Sequence, residues 1–426
     1  MSAGVLGAAE RTVRPAAPEG SFGRFVADAA RAGRLVVQPR MGFSDLRRMR
    51  AGLERTRFAA ATTVGTVTID SYTRVGAYDA AHRALVEGTP LNGYPIVAYP
   101  VETTRTLLAG VHDESFPVQV RHGSSQPEPI IRALAAAGLH ATEGGPVSYC
   151  LPYGRTPLRE SVRNWARASE LLAELAPGTA HLESFGGCLL GQLCPPGLLV
   201  AVSLLEGLFF ARHGITSVSL SYAQQTDPDQ DTEAIRALHR LAAEFLPATV
   251  DRHVVLYTYM GTFPTTARGA RRLLAASADL AVRAGAQRLI VKTVAEAHRI
   301  PTVAENVEAL ETAAAAASVT DPGVDPAGEE SVYREARRLV EAVLDLDDDP
   351  GRALHAAFRR GYLDVPWCLH PDNAGRSRSF IDDAGRLRWS AVGRMPITAT
   401  ASAQQPAMSS ARLLSALHTV ARTYDQ

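Results

Sequence analysis

The sequence predicts an α/β protein, a closed (β/α)8 barrel followed by a smaller C-terminal cap. Three observations carry that expectation. Short β-branched runs alternate with amphipathic helical stretches from about residue 23 to 300. Helices end at a glycine just before the next strand, as in "AAAGLHA", "FARHGITSV" and "VRAGAQRLI". Roughly eight or nine such units follow one another, a repetition that favours a sheet closed on itself. An open doubly wound sheet is the alternative, and no GxGxxG follows any strand to favour it.

Taken in order, residues 1–22 open with "MSAGVLGAAERTVRPAAPEG", where Glu10 and two arginines interrupt any apolar core of signal-peptide length, so a flexible tail is expected. Residues 23–310 form the expected barrel. Its strands are read at "RLVVQ", "VGTVTI", "YPIVAY", "FPVQV", "GLHAT", "AHLESF", "TSVSLSY", "HVVLYTY" and "QRLIVK". Helices are read at "SDLRRMRAGLERTRFA", "PLRESVRNWARASELLAEL", "DTEAIRALHRLAAEFL" and "ARGARRLLAASADLAVRAG". The most hydrophobic run, "GLLVAVSLLEGLFFARHG", is too short to span a bilayer and carries Glu206 in its middle. Residues 311–426 form the expected cap, with a linker at "TDPGVDPAGEE", helices at "SVYREARRLVEAVLDL" and "GRALHAAFRRGYL", and a hairpin in "RSRSFIDDAGRLRWSAVGRMPI".

Composition narrows the partners. Acidic and basic residues balance at 44 each, which argues against a nucleic-acid footprint or a polybasic membrane patch. Cys150, Cys188, Cys194 and Cys368 show neither metal-ligand nor CxxC spacing, and a reducing cytoplasm is the simplest setting. Lys292 is the only lysine in the chain. Every other fixed cation is arginine, so the surviving lysine raises the question of what position 292 needs that a guanidinium cannot give.

In a barrel the chemistry sits where strands end. The charged residues there are Arg40, Arg74, Arg121, His122, Glu143, Glu183 and Lys292. Three arginine forks around one pocket suit a substrate with two carboxylates. Glu143 suits an ammonium group or serves as a base, and Tyr149 and Tyr153 add hydroxyl donors without charge. Together these describe an acidic amino acid. Two other readings stay open: His122, Glu143 and Glu183 ligating a divalent metal in an aldolase- or lyase-type barrel, and a non-catalytic scaffold for a partner.

Ordered blocks then resemble one known family. They are "QPR" at 38–40, "DSYTR" at 70–74, "LNGYP" at 91–95, "RHG" at 121–123, "EGG" and "SYCLPY" between 143 and 153, "ESFG" at 183–186, "IVKTVAEA" at 290–297 and "DNAGR" at 372–376. Their order and number resemble the large (epsilon) subunit of methylaspartate mutase, also called glutamate mutase. The resemblance implies a (β/α)8 TIM barrel and an adenosylcobalamin-dependent isomerase. Its reaction is a radical carbon-skeleton rearrangement of L-glutamate to (2S,3S)-3-methylaspartate. It assigns the substrate carboxylates to Arg40, Arg74 and Arg121, with Tyr153 as a further donor and Phe185 as an apolar wall. It assigns the substrate ammonium to Glu143, as catalytic group, and Tyr149. Cofactor contacts fall on Asn92, Pro152, Lys292 and Glu296, and no metal ligand is expected in this chain.

The resemblance further implies a small cobalamin-binding subunit carrying D-x-H-x-x-G, with a dimer of large subunits in a heterotetramer. The nearest match here, Asp251, Arg252 and His253, ends in Leu256 where glycine is required and lies in an expected strand, so a separate chain is expected to bring the motif. The sequence departs from the family at Pro146, Cys150, Leu182 and Tyr257, and "GGCLLG" is one residue longer than the family pattern. A related mutase acting on a different amino acid is therefore the alternative within the family.

Overall fold

A computed structural model describes residues 18–152, 154–189, 193–321, 330–399 and 409–426. Eight parallel strands form one sheet: β1 (Val36–Gln38), β2 (Gly65–Thr68), β3 (Val118–Arg121), β4 (Ala141–Gly144), β5 (His181–Ser184), β6 (Ser217–Ala223), β7 (Asp251–Tyr257) and β8 (Arg288–Ile290). The sheet runs in the order β1-β8-β7-β6-β5-β4-β3-β2. Val37 closes the ring, donating its N–H to the Thr62 carbonyl at 2.9 Å and bridging Thr63. This is the expected (β/α)8 barrel.

The helices are α1 (Phe22–Arg31) ahead of β1, then α2 (Leu46–Arg57), and α3 (Ser71–Arg74), α4 (Tyr78–Val86) and α5 (Val101–Leu108) between β2 and β3. One helix follows each later strand: α6 (Glu128–Ala136), α7 (Leu158–Leu175), α8 (Pro196–Arg212), α9 (Pro228–Phe245), α10 (Ala267–Ala284) and α11 (Val303–Ser318). Their ends follow local chemistry. Asp45, Asp227 and Thr266 accept backbone N–H groups as N-caps, Thr302 and Glu305 form a reciprocal capping box, and Gly285 ends α10 at φ 84°.

β6 shows how the strands serve both sides. Ser219 turns inward and donates to Glu183, while Tyr222 turns outward and donates to Asp231 of α9. The N-terminal mouth is plugged by α1: the Phe22 ring lies 4.8 Å from that of His181 and 5.0 Å below the Arg288 guanidinium.

One expected strand is absent. "YPIVAY" makes a single bridge, Ile69 to Tyr94, and then turns, with Ala98 and Tyr99 both donating to the Pro95 carbonyl. Pro95 has no N–H for a ladder and Pro100 stops the run. Its apolar residues pack instead, Tyr94 being fully buried with its hydroxyl 2.9 Å from Thr104 Oγ1.

Beyond the barrel come α12 (Ser331–Leu344), α13 (Pro350–Arg360), the hairpin of β9 (Arg378–Ile381) and β10 (Leu387–Ala391), α14 (Ser410–Leu417) and α15 (Thr419–Asp425). α12 lays its buried face, including Ala336, Leu339 and Val343, across α8 and α9. The hairpin grips the C-terminal rim: Ser379 donates to the Leu193 carbonyl at 2.6 Å and Thr226 to the Gly385 carbonyl at 2.7 Å. The boundary read at 310 falls within α11, and most of the expected linker, with the greater part of the N-terminal tail, lies outside the described residues. Among the described residues no helix is long and apolar enough to cross a membrane.

Candidate active site

Glu143 and Glu183 are paired neighbours on β4 and β5, both buried and both directed into the barrel. Arg121 ends β3 and Tyr257 ends β7, so four strand ends converge on one point. Arg121 Nε donates to Glu143 Oε2 at 2.7 Å, and its Nη2 donates to the Tyr257 hydroxyl at 3.3 Å. Tyr149 donates to Glu143 Oε1. Tyr257 reaches both Glu143 Oε2, at 2.9 Å, and Glu183 Oε1. Phe185 closes the side, its ring 5.1 Å from Tyr149 and 5.4 Å from Tyr257.

Electrostatics follow from the packing. Burial pulls a guanidinium down, yet Glu143, Tyr257 and Tyr149 hold Arg121 above its ordinary value. Burial likewise pushes Glu183 up, and Arg288 and Tyr257 outweigh it, keeping the carboxyl below the usual range. Burial and Arg121 together press His122 down to about 3, so it is a neutral ring. That ring stacks on Trp165 at 5.7 Å, and its Nδ1 accepts from the Ser124 N–H at 3.1 Å.

The loop after β4 needs both its glycines. Gly144 and Gly145 sit at φ 145° and 156°, and a Cβ on either would overlap the Trp165 ring or the Glu206 carboxyl. Glu206, from the middle of α8, accepts the Val147 N–H at 3.0 Å, the Ser148 N–H at 2.9 Å, the Ser148 hydroxyl at 2.9 Å and the Ser184 hydroxyl at 2.8 Å. The Glu206 carboxyl group in the apolar helix thus fixes the loop that delivers Tyr149 to Glu143.

A second cluster lies at the same end of the barrel. Glu296 Oε1 receives both Arg40 Nη1 and Lys292 Nζ at 3.0 Å. Lys292 is 5% exposed and lies 5.0 Å over the Phe263 ring. Burial pulls its ammonium down to about 8 against the attraction of Glu296. Burial pushes Glu296 up, but Lys292, Arg40 and Arg121 hold it below its ordinary value, which ties the two clusters into one field. Arg74 is exposed on α3 with its stem against Gly123, two residues past Arg121. Asn92 is exposed and accepts the Ser71 N–H at 3.0 Å.

The residues expected from the sequence therefore divide. Arg121, Glu143, Tyr149 and Phe185 meet directly, whereas Arg40 joins Lys292 on Glu296, and Arg74, Asn92 and the half-buried Pro152 stand around the rim. Tyr153 lies outside the described residues. The sequence singled out Tyr257 only as a departure and missed Arg288, which donates to Gln38, Gln119, Glu183 and Ser219 inside the barrel. The available signal was an arginine opening an otherwise apolar strand, "RLI".

The three side chains read as a metal set are otherwise engaged, His122 with Trp165 and Ser124, Glu143 with Arg121, and Glu183 with Arg288. Among the described residues no three His, Cys, Asp or Glu side chains are grouped to hold a metal ion. His253 stacks on His181 at 5.3 Å and accepts from Arg288 at 3.3 Å, deep in the barrel.

Comparison with known proteins gives a concordant result. A family described as methylaspartate mutase E chain matches residues 17–412. The glutamate mutase epsilon subunit of Halobacterium salinarum is 32% identical over 380 residues, covering 86% of this chain and 79% of that one. The subunit of the same name from Haloarcula marismortui is 31% identical over 367 residues, covering 83% and 74%. That of Yersinia enterocolitica is 32% identical over 349 residues, covering 78% and 72%.

Proposed function

The chain belongs to the methylaspartate mutase E chain family, and on that premise we propose that it is the catalytic subunit of a mutase interconverting L-glutamate and (2S,3S)-3-methylaspartate. One observation carries the reading: a buried arginine and a buried carboxylate, Arg121 and Glu143, face one another at the strand C-termini with tyrosine hydroxyls around them. An amino acid with two carboxylates presents both complementary charges. Arg121 takes one carboxylate, with Arg40, Arg74 and Tyr153 completing the set, while Glu143 and Tyr149 receive the ammonium and Phe185 walls the carbon chain.

The second cluster fits the polar face of a nucleoside. Both cations meet Oε1 of Glu296, and among the described residues its Oε2 receives no hydrogen bond, so a sugar hydroxyl finds an acceptor there beside an ammonium donor. Lys292, Glu296, Asn92 and Pro152 would hold the adenosyl part of adenosylcobalamin. When bound, that cofactor supplies the carbon radical that takes and returns a substrate hydrogen.

The chain's own work is to clamp and shield. Arginine forks on both carboxylates keep substrate fragments in register, Phe185 and Tyr257 exclude water, and Glu143 takes up part of an ammonium proton as charge shifts at the amino carbon. The cobalt-binding histidine comes from a small partner subunit with D-x-H-x-x-G, in a heterotetramer built on two large subunits, and the assembly is cytoplasmic. The barrel to 310 and the cap from 311 act as one body in this scheme.

The test is reconstitution. The isolated chain is expected to bind adenosylcobalamin weakly and to convert no L-glutamate, and adding the small subunit is expected to restore both. Conversion by the isolated chain would remove the partner from the scheme, and no conversion by the assembled pair would remove the reaction.

A further inference from the structure

The Tyr257 hydroxyl has one proton and stands between two buried carboxylates. It lies 2.9 Å from Glu143 Oε2 and within hydrogen-bonding reach of Glu183 Oε1, and it accepts from Arg121 Nη2 at 3.3 Å. Only one carboxylate takes that proton at a time. The other donors decide which. Glu183 Oε2 receives Gln119 at 3.2 Å, Ser219 at 3.1 Å and Arg288, while among the described residues its Oε1 receives Tyr257 alone. Glu143 is already supplied on both oxygens, by Tyr149 on Oε1 and by Arg121 Nε on Oε2. The phenol proton therefore rests on Glu183. Glu143 Oε2 and the Tyr257 oxygen, close together, are held by the single fork of Arg121.

We infer that Tyr257 is a positioning residue for the ammonium receptor, a donor with two settings that turns from Glu183 to Glu143 when Arg121 is drawn onto a substrate carboxylate. The inference rests on the reading that Arg121 takes a carboxylate and Glu143 the ammonium. Arg121 has to loosen from Glu143 Oε2 to meet the substrate, and that oxygen would lose its strongest donor at the moment it must stay an anion. Rotation of one hydroxyl replaces the donor without moving a backbone, since the Tyr257 ring is fully buried and braced edge-on against Phe185 at 5.4 Å. Glu183 tolerates the loss because Arg288 stays on it. The charged and titratable groups facing the hydroxyl are Arg121, Glu143, Glu183 and Cys188, with Tyr149 and Arg288 one contact further. Burial pushes the Cys188 thiol well above its ordinary value, so it stays neutral in the working range.

The experiment uses the assembled mutase. In Tyr257→Phe, kcat for L-glutamate should fall about tenfold while KM changes less than about threefold, because the donor is needed after binding. The acid limb of kcat, which reports the substrate-bound complex, should move up by about one pH unit, since a carboxylate that loses a donor is protonated more readily. Replacing Tyr257 by 3-fluorotyrosine keeps the ring and strengthens the donor, and the acid limb should then move down; this arm carries the test if Tyr257→Phe does not fold. An unchanged kcat and pH profile in Tyr257→Phe overturns the inference, as does a rise in KM with unchanged kcat, or an unmoved limb in the fluorinated enzyme. Glu143→Gln separates the two levels. Normal turnover in that variant overturns the assignment of Glu143 itself, whereas defective turnover there beside a normal Tyr257→Phe overturns only the role of Tyr257.

Discussion

Arg121 donates from Nε to Glu143 and from Nη2 to Tyr257, two contacts that diverge from one planar group. A lysine offers its donors from a single atom, so Arg121→Lys keeps the charge and loses the fork. Catalytic efficiency, measured as kcat/KM for L-glutamate, should fall at least about tenfold, or about 1.4 kcal/mol. Lys292 makes the opposite trade. Burial lowers its pKa from 10.5 to about 8, so below pH 8 the folded chain carries an ammonium that its site disfavours. The unfolded chain binds the extra proton between pH 8 and 10.5, so stability rises with pH across that window. Lys292→Met should therefore raise the thermal midpoint at pH 7 by removing a penalty of at most roughly 3 kcal/mol, and the gain should vanish near pH 10.5. A lowered midpoint at pH 7 would mean that the pair with Glu296 outweighs burial.

α8 was legible as the most hydrophobic run, but its role was not, because Glu206 read only as a charge interrupting a membrane-like segment. Its four donors come from the β4 loop and the end of β5, far from it in sequence. Burial nevertheless pushes Glu206 from 4.5 up to about 7. The folded state then holds a proton the unfolded state releases, so this group's contribution is full below pH 4.5 and is lost as pH rises to about 7. Asp231, raised to about 8, and Glu335, raised to about 7, add slopes of the same sign. Glu206→Gln should flatten the fall in unfolding free energy between pH 4.5 and 7 by up to about 3 kcal/mol, measured by denaturant titration against the parent chain. An identical pH slope in the variant would show that Glu206 is not the group that takes up the proton in this range. The "YPIVAY" segment fails as a strand for a reason visible beforehand: Pro95 lies within it and Pro100 follows it.

At the scale of the whole molecule the cap is part of the core. Val332, Ala336, Leu339, Val340 and Val343 of α12 are buried against α8 and α9, and Trp389 of the hairpin donates to Glu335 at 2.9 Å. A chain ending at residue 310 would also cut α11, which packs on α10 and α2. That truncation should show no cooperative thermal transition by circular dichroism. A sharp transition would make the cap an independent appendage.

The sequence alone determined the order of the eight barrel strands, the misread "YPIVAY" aside, the glycine stops, and the charged rim with Arg40, Arg121, Glu143 and Lys292 on it. These depend on periods of two and 3.6 residues and on turn chemistry, which act over a few neighbours. Tertiary structure decided who pairs with whom. Arg40 meets Glu296, Tyr257 spans Glu143 and Glu183, and Arg288 works inside the barrel rather than on its helical face. Those partners lie 256, 114, 74 and 105 residues apart. Barrel register and the reach of each side chain across the lumen bring them together, and neither quantity is written in a local pattern.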